Sequence, residues 1–333
     1  MPSDQLRRRE FITLLGGVTI GWPLAVRAQQ PRQIGMLLTV QESDPATQDS
    51  IAVFQRRLRE LGWVEDRTIR FERHYAGGDP QRMSANIGEI VGLRPDVILA
   101  QNTPMVAALR RQTDSIPIVF VQVSDPVGDG FVESLAHPGG NATGFTNTMS
   151  SLGGKWVELL KEAAPGVSQL GYLFNRAAAP GAGAYYLEPL LTAAAALGMK
   201  AVQLELRNAD EIDSVIAGFA AAGGNGMVAN SDSFITVNRN RIIAAANRLR
   251  LPTMYASAQN TNSGGLISYG PDTEQQWYAA ASYVDRILHG AKPRDLPVQS
   301  PAKFILSINI KTAKAIGLDI PWFLQQRADE VIE

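Results

Sequence analysis

The chain has 333 residues, 45% of them hydrophobic and 19% charged, and it contains no cysteine. That length predicts two lobes rather than one, and the apolar share suffices for two cores and excludes wholesale disorder. With 31 Lys and Arg against 32 Asp and Glu, no basic excess is present to neutralise phosphates, which excludes nucleic acid as a partner; the missing cysteine excludes disulfides, thiolate metal sites, Cys nucleophiles and a lipid-anchored N-terminal Cys.

In chain order, the first feature is Arg7-Arg8-Arg9-Glu10-Phe11-Ile12-Thr13, an arginine pair placed just before a short apolar run at 11–25. Val26-Arg27-Ala28 then offers a small-residue exit. A basic start, a short apolar stretch and small residues at the end read as a secretory signal peptide over 1–28, twin-arginine-like and cleaved near Ala28. The expected location is therefore the periplasm, as a freely diffusing protein and not a lipoprotein. An uncleaved anchor is the alternative, and the shortness of the run argues against it. No later stretch approaches the roughly 18 apolar residues of a membrane span.

From residue 29 onward, short apolar runs alternate with helix-periodic stretches. Strands are predicted at 34–38, 69–73, 97–100 and 118–121. Ile51, Phe54, Leu58 and Leu61 form one face of a helix over 49–61, and Met83, Ile87, Ile90 and Val91 do so over 80–93. Strand–helix alternation predicts a parallel sheet covered on both faces. The pattern then restarts at a nearly constant offset. Gln33–Leu38 is echoed by Gln169–Phe174, Leu61-Gly62 by Leu197-Gly198, Asp96–Ala100 by Gly226–Asn230, and Ile116-Pro117 by Leu251-Pro252. Each Leu-Gly sits where a helix stops and the next strand begins, since Gly accepts a left-handed cap. Two lobes of similar topology are expected, 29–147 plus 262–298 and 148–261 plus 299–333. The last section contributes a strand at 266–269, a helix around Trp277, Ala281, Val284 and Leu288, a strand at 304–310 and a short helical end. It is too small for its own core, so it is expected to complete both lobes by crossing between them, making a hinge.

Enzyme signatures fail. Gly154-Lys155 is followed by Trp156, so there is no phosphate loop. Residues 139–144 do not fit a dinucleotide fingerprint, and 265–270 misses the nucleophile elbow by one residue. His74, His137 and His289 are too scattered for a metal site or a triad. No catalysis, metal or cofactor is expected.

In parallel α/β sheets, ligands bind beyond the carboxyl ends of the strands, and here those ends carry polar clusters. The candidates are Ser43, Gln101, Asn102, Thr103, Ser124 and Asp125 in the first half, and Asn175, Arg176, Asn230, Asp232, Tyr255 and Tyr269 in the second. Most hydrogen-bond without being strong acids or bases, which suits recognition better than reaction. Thr103-Pro104 reads as an N-cap and first helical residue whose free N–H groups favour an anion, or simply as a cap. Asp125 and Asp232 are ammonium partners, or a turn residue and a helix cap respectively. Arg176 clamps a carboxylate or is solvated surface; Tyr255 and Tyr269 stack on a ligand or belong to the core.

Several stretches together carry a resemblance: Ile116–Val121 running into Ser124-Asp125-Pro126-Val127-Gly128; Pro138-Gly139-Gly140-Asn141-Ala142-Thr143-Gly144; Gly264–Gly270; and Pro293–Val298 with Asn309–Leu318 and Arg327–Glu333. Over essentially the whole mature chain the sequence resembles the ABC transporter substrate-binding family whose few assigned members bind tryptophan or related aromatic amino acids. The resemblance implies a type 1 periplasmic-binding fold, two Rossmann-like lobes with parallel sheets joined by a three-segment hinge. It also implies a monomeric, non-enzymatic protein that closes on a small-molecule ligand and docks on an ABC transporter permease in the inner membrane. The ligand is an aromatic or other amino acid, or a small carboxylate. A ligand-sensing module for a membrane receptor, or a periplasmic enzyme using the cleft, are the alternatives.

Overall fold

A computed structural model describes residues 30–147 and 149–333; the signal peptide assigned to 1–28 lies outside them. The first half runs β1 (Arg32–Leu38), α1 (Pro45–Glu60), β2 (Ile69–Tyr75), α2 (Pro80–Leu93), β3 (Val97–Gln101), α3 (Thr103–Arg110), β4 (Ile118–Val123) and β5 (Ala142–Thr146). Its five strands pair in the order β2-β1-β3-β4-β5, all parallel. Side chains alternate across this sheet. Ile34, Met36 and Leu38 join a core with α1, whereas Leu37 joins Ile87 of α2 and Met105 of α3 on the other face. Asp-Pro opens both early helices: Asp44 accepts from Thr47 N at 3.0 Å and Asp79 from Gln81 N at 2.8 Å, with proline next in each. The missing proline N–H is one the helix could not use anyway.

The second half runs α4 (Leu152–Ala163), β6 (Gln169–Asn175), α5 (Leu187–Ala196), β7 (Lys200–Leu206), α6 (Ile212–Ala221), β8 (Gly226–Ala229), α7 (Ser233–Val237), α8 (Arg239–Arg248), β9 (Thr253–Tyr255), α9 (Ala258–Asn262) and β10 (Ile267–Pro271). The remainder is α10 (Thr273–Leu288), β11 (Phe304–Asn309), α11 (Ile310–Ile316), α12 (Trp322–Arg327) and β12 (Glu330–Ile332). The second sheet has seven strands in the order β12-β11-β10-β9-β8-β6-β7. The echoes seen in sequence are structural equivalents: β1 with β6, β3 with β8, β4 with β9. Leu61 and Leu197 both end helices, each followed by glycine in the left-handed region, Gly62 at φ 93° and Gly198 at φ 66°.

Two details differ from expectation. Residues 262–271 were expected with the first lobe, but β10 pairs with β9 and β11 in the second sheet, because its apolar residues Leu266 and Ile267 complete that lobe's core. From α10 to Val298 the chain crosses back, placing Trp277 against Phe54 of α1, rings 6.3 Å apart at 87°, and Leu296 and Val298 in the first lobe's cores. The second sheet is also not wholly parallel. The chain leaves along β10, builds α10 on the first lobe and returns beside β10, so β11 enters antiparallel. The return strand lies against the first crossing: Thr146 N donates to Gln299 O at 2.9 Å and Gln299 N to Gly144 O at 2.9 Å. Asp272 N donates to Lys303 O at 3.0 Å where the second crossing passes. Three adjacent extended segments thus connect the lobes.

Candidate functional site

Between the lobes the carboxyl ends of the two sheets face one another. The first lobe contributes Asn102, Thr103, Gln122 and Ser124 from the ends of β3 and β4; Asn147 stands at the first crossing. The second contributes Ser231, Asp232 and Ser233 after β8, Thr236 and Arg239 at the junction of α7 and α8, and Ser257, Gln259 and Asn260 after β9. The space they enclose is about 50 Å³. The lobes touch across it. Asn147 Nδ2 donates to Ser231 Oγ at 3.3 Å, Ser124 Oγ to Asn147 Oδ1 at 3.1 Å, and Tyr186 Oη to Ser124 Oγ at 3.4 Å. Arg239 forms an ion pair with Asp44, with side chains only 9% and 8% exposed, and its guanidinium also donates to Thr236 O at 3.0 Å. Gly78 lies so close to Val237 that a Cβ there would come within 2.8 Å of a methyl group.

Two cleft residues hold backbone conformations that disfavour side chains. Asn102 has φ 70° and ψ 154°, and Gln122 has φ 58°. The first lies in a region that is essentially glycine's alone, and strain of this kind persists where surrounding structure over-determines it, commonly at binding sites. Sequence pattern gave no sign of it: Asn102 follows the apolar run of β3, and Gln122 stands inside that of β4, where the pairing with β5 shifts register.

Of the twelve residues singled out by sequence, Asn102, Thr103, Ser124 and Asp232 meet in this cleft, and Ser43 lines an adjoining inter-lobe gap of about 190 Å³ with Arg239. The helix-cap expectation at Thr103 shifts by one residue. Asn102 is the cap, with no side-chain cap bond, and the Thr103 hydroxyl accepts from Ser124 N at 3.4 Å instead. The others hold the scaffold. Gln101 is buried, accepting from Thr39 N at 3.2 Å and donating to Gln122 Oε1 at 2.8 Å. Asp125 makes a turn, accepting from Gly128 N at 2.9 Å. Asn175 donates to Leu206 O at 2.7 Å and accepts from Ala178 N at 3.0 Å. Asn230 accepts from Ser231 N at 2.8 Å. Arg176 is exposed and bidentate on Glu205, both contacts 3.0 Å. The tyrosines belong to the core: Tyr255 is 1% exposed, and Tyr269 stacks on Phe304 with centroids 5.6 Å apart. Neither lines the cleft.

Asp232 caps α7, accepting from Ile235 N at 2.7 Å, and also accepts from Asn175 N at 3.2 Å and Asn230 Nδ2 at 3.4 Å. Burial pushes its carboxyl up, to about 7, against these donors, which favour the ionised form. A raised folded value means a contribution to stability that is full below the unfolded pKa, near 3.9. It is lost as pH rises through about 7. Asp232→Asn keeps an acceptor and does not titrate. Its stability relative to wild type should therefore rise between pH 4 and 8, by at most ~1.4 kcal/mol per pH unit. Parallel denaturant titrations at several pH values measure this; identical pH profiles for the two proteins would contradict it.

Among the described residues no cluster of three His, Cys, Asp or Glu could hold a metal, and no helix is long and apolar enough to cross a membrane. What the cleft offers is hydrogen-bonding groups from two lobes joined by a hinge. Residues 34–332 match the profile of the family described as ABC transporter substrate binding protein. The chain belongs to that family. Its curated relatives include a tyrosine-binding protein of Clostridioides difficile, 24% identical over 291 residues, which are 87% of this chain and 82% of that protein. Similar solved structures include a conserved domain protein from Vibrio cholerae, 30% identical with a TM-score of 0.82, covering 91% of this chain and 100% of that one. Another is an ABC domain in complex with L-Trp from Streptococcus pneumonia, 24% identical with a TM-score of 0.82 over 91% of this chain and 100% of that one. The chain therefore has the ligand-binding role and the type 1 fold of this substrate-binding family, whose members are solute-binding proteins rather than enzymes. Such proteins typically work in the periplasm or outside the cell.

Proposed function

We propose that this protein is the periplasmic receptor of an ABC importer, taking an amino-acid-class solute between its lobes and presenting the closed form to a membrane permease. The observation that carries the reading is the polar cleft between two facing strand ends, closed by contacts from both lobes. Contacts from both sides bind the closed form better than the open one, so ligand shifts the population toward closure. Relatives named for tyrosine or complexed with tryptophan support amino acids as the class. Arg7-Arg8 and the small-residue exit at Ala28 support export and release by cleavage.

The test is thermal denaturation with amino acids and small carboxylates added singly. A ligand present at a hundred times its dissociation constant should add about 2.7 kcal/mol of stability. Absence of a shift with every member of both classes would remove the reading. N-terminal sequencing of the exported protein should begin near Gln29; retention of the arginine pair would contradict cleavage.

A further inference from the structure

The lining of the cleft sets it apart from what an aromatic ligand needs. Twelve of its nineteen lining residues carry a hydroxyl or a carboxamide, and the apolar ones are only alanine and proline. Among the described residues no Phe, Tyr or Trp lines it or the two flanking inter-lobe gaps. The tyrosines nearest by sequence are committed to the second lobe's core. The two carboxamide residues of the first lobe, Asn102 and Gln122, sit in left-handed backbone that glycine would occupy without strain.

From this we infer that the ligand is an amino acid with a short, hydrogen-bonding side chain, and that the cleft discriminates against aromatic amino acids. The inference rests on the ligand-binding reading above and narrows it. Enclosing an indole or phenyl face here would strip water from hydroxyls and carboxamides that the ring cannot satisfy, and each buried polar group left unpaired costs about 1–3 kcal/mol. Sites built to hydrogen-bond reject analogues lacking the partner far more strongly than apolar pockets reject a change in size. A short polar side chain satisfies the same groups instead. Asn102 holds its strained backbone with its carboxamide donating to Thr39 Oγ1 at 3.4 Å, at the edge of the cleft.

Calorimetric titration of the purified protein with L-serine, L-threonine, L-asparagine and L-glutamine, against L-tyrosine, L-tryptophan and L-phenylalanine, tests it. At least one polar amino acid should bind, and every aromatic one at least tenfold more weakly. Tighter binding of an aromatic member overturns this inference and leaves the receptor function standing; no binding by any member overturns the inference, and the receptor reading then stands or falls on the small carboxylates. Asn102→Gly supplies a second readout, since it relieves the backbone while removing the carboxamide. Its melting temperature should hold or rise while affinity for the polar ligand falls at least tenfold. Unchanged affinity would overturn the role assigned to Asn102 and the selectivity built on it.

Discussion

Trp156→Ala should destabilise the protein by about 3–5 kcal/mol, the cost of a large buried aromatic truncated in a core that relaxes only partly. Trp156 is fully buried on α4, which packs on β8, β9, β10 and α5. Its indole N–H donates to Tyr269 O at 2.7 Å and its ring lies 4.9 Å from that of Tyr186. The residue therefore links the helix that follows the first crossing to the strand that precedes the second. Truncation removes apolar burial, an aromatic pair and a hydrogen bond together. Trp156→Phe separates them, keeping most of the ring while depriving a buried carbonyl of its donor, at about 1–3 kcal/mol. Denaturant midpoints should fall in that order with little change in slope. An alanine variant within ~1 kcal/mol of wild type would show that α4 is not integral to this core.

The stretches that carry the family resemblance turn out to be backbone architecture. Asn141 donates to Ile116 O at 2.7 Å and accepts from Arg110, fixing where β4 begins. A Cβ on Gly144 would lie 2.0 Å from Phe120 O, and one on Gly270 1.8 Å from Ala256 O. Side chains are excluded there because neighbouring strands approach too closely. Such glycines and the Asn141 contact are recognisable in a sequence because the fold demands them, and for the same reason they say nothing of the ligand; of these stretches Ser124 reaches the cleft. The fold was legible since apolar runs, helical periodicity and Leu-Gly helix ends each act locally. The cleft was legible only where local position decides it, as at Asn102, Thr103, Ser124 and Asp232 beyond strand ends. Arg239 and Asp44 could not be read that way. Each stands at an unremarkable helix start, and their meaning arises from two lobes meeting 195 residues apart in sequence. Tyr255 and Tyr269 failed for the converse reason, because a strand-end aromatic can turn inward, and the second lobe's core takes both.

Arg239→Ala should open the lobes rather than unfold the chain. Removing one partner of a buried ion pair costs about 3–5 kcal/mol when the remaining charge stays covered. Asp44 need not stay covered, because it caps α1 at the lobe surface and parting of the lobes returns it to water. The loss therefore falls on closure. A shift of about 3 kcal/mol multiplies the open-to-closed ratio by roughly a hundredfold, visible as a larger radius of gyration in solution scattering and as weaker ligand binding. Each lobe keeps its own core, so the melting temperature should change far less than for Trp156→Ala. Asp44→Asn should act in the same direction and more weakly, since the amide still accepts from Thr47 N and preserves the cap. Salt separates this buried pair from an ordinary surface one. Screening acts mainly on exposed charges, so raising the salt should leave the wild-type radius nearly unchanged. An Arg239→Ala protein whose scattering profile matches wild type would show that the remaining cross-lobe contacts, Asn147 with Ser231 and Tyr186 with Ser124, suffice to hold the lobes together.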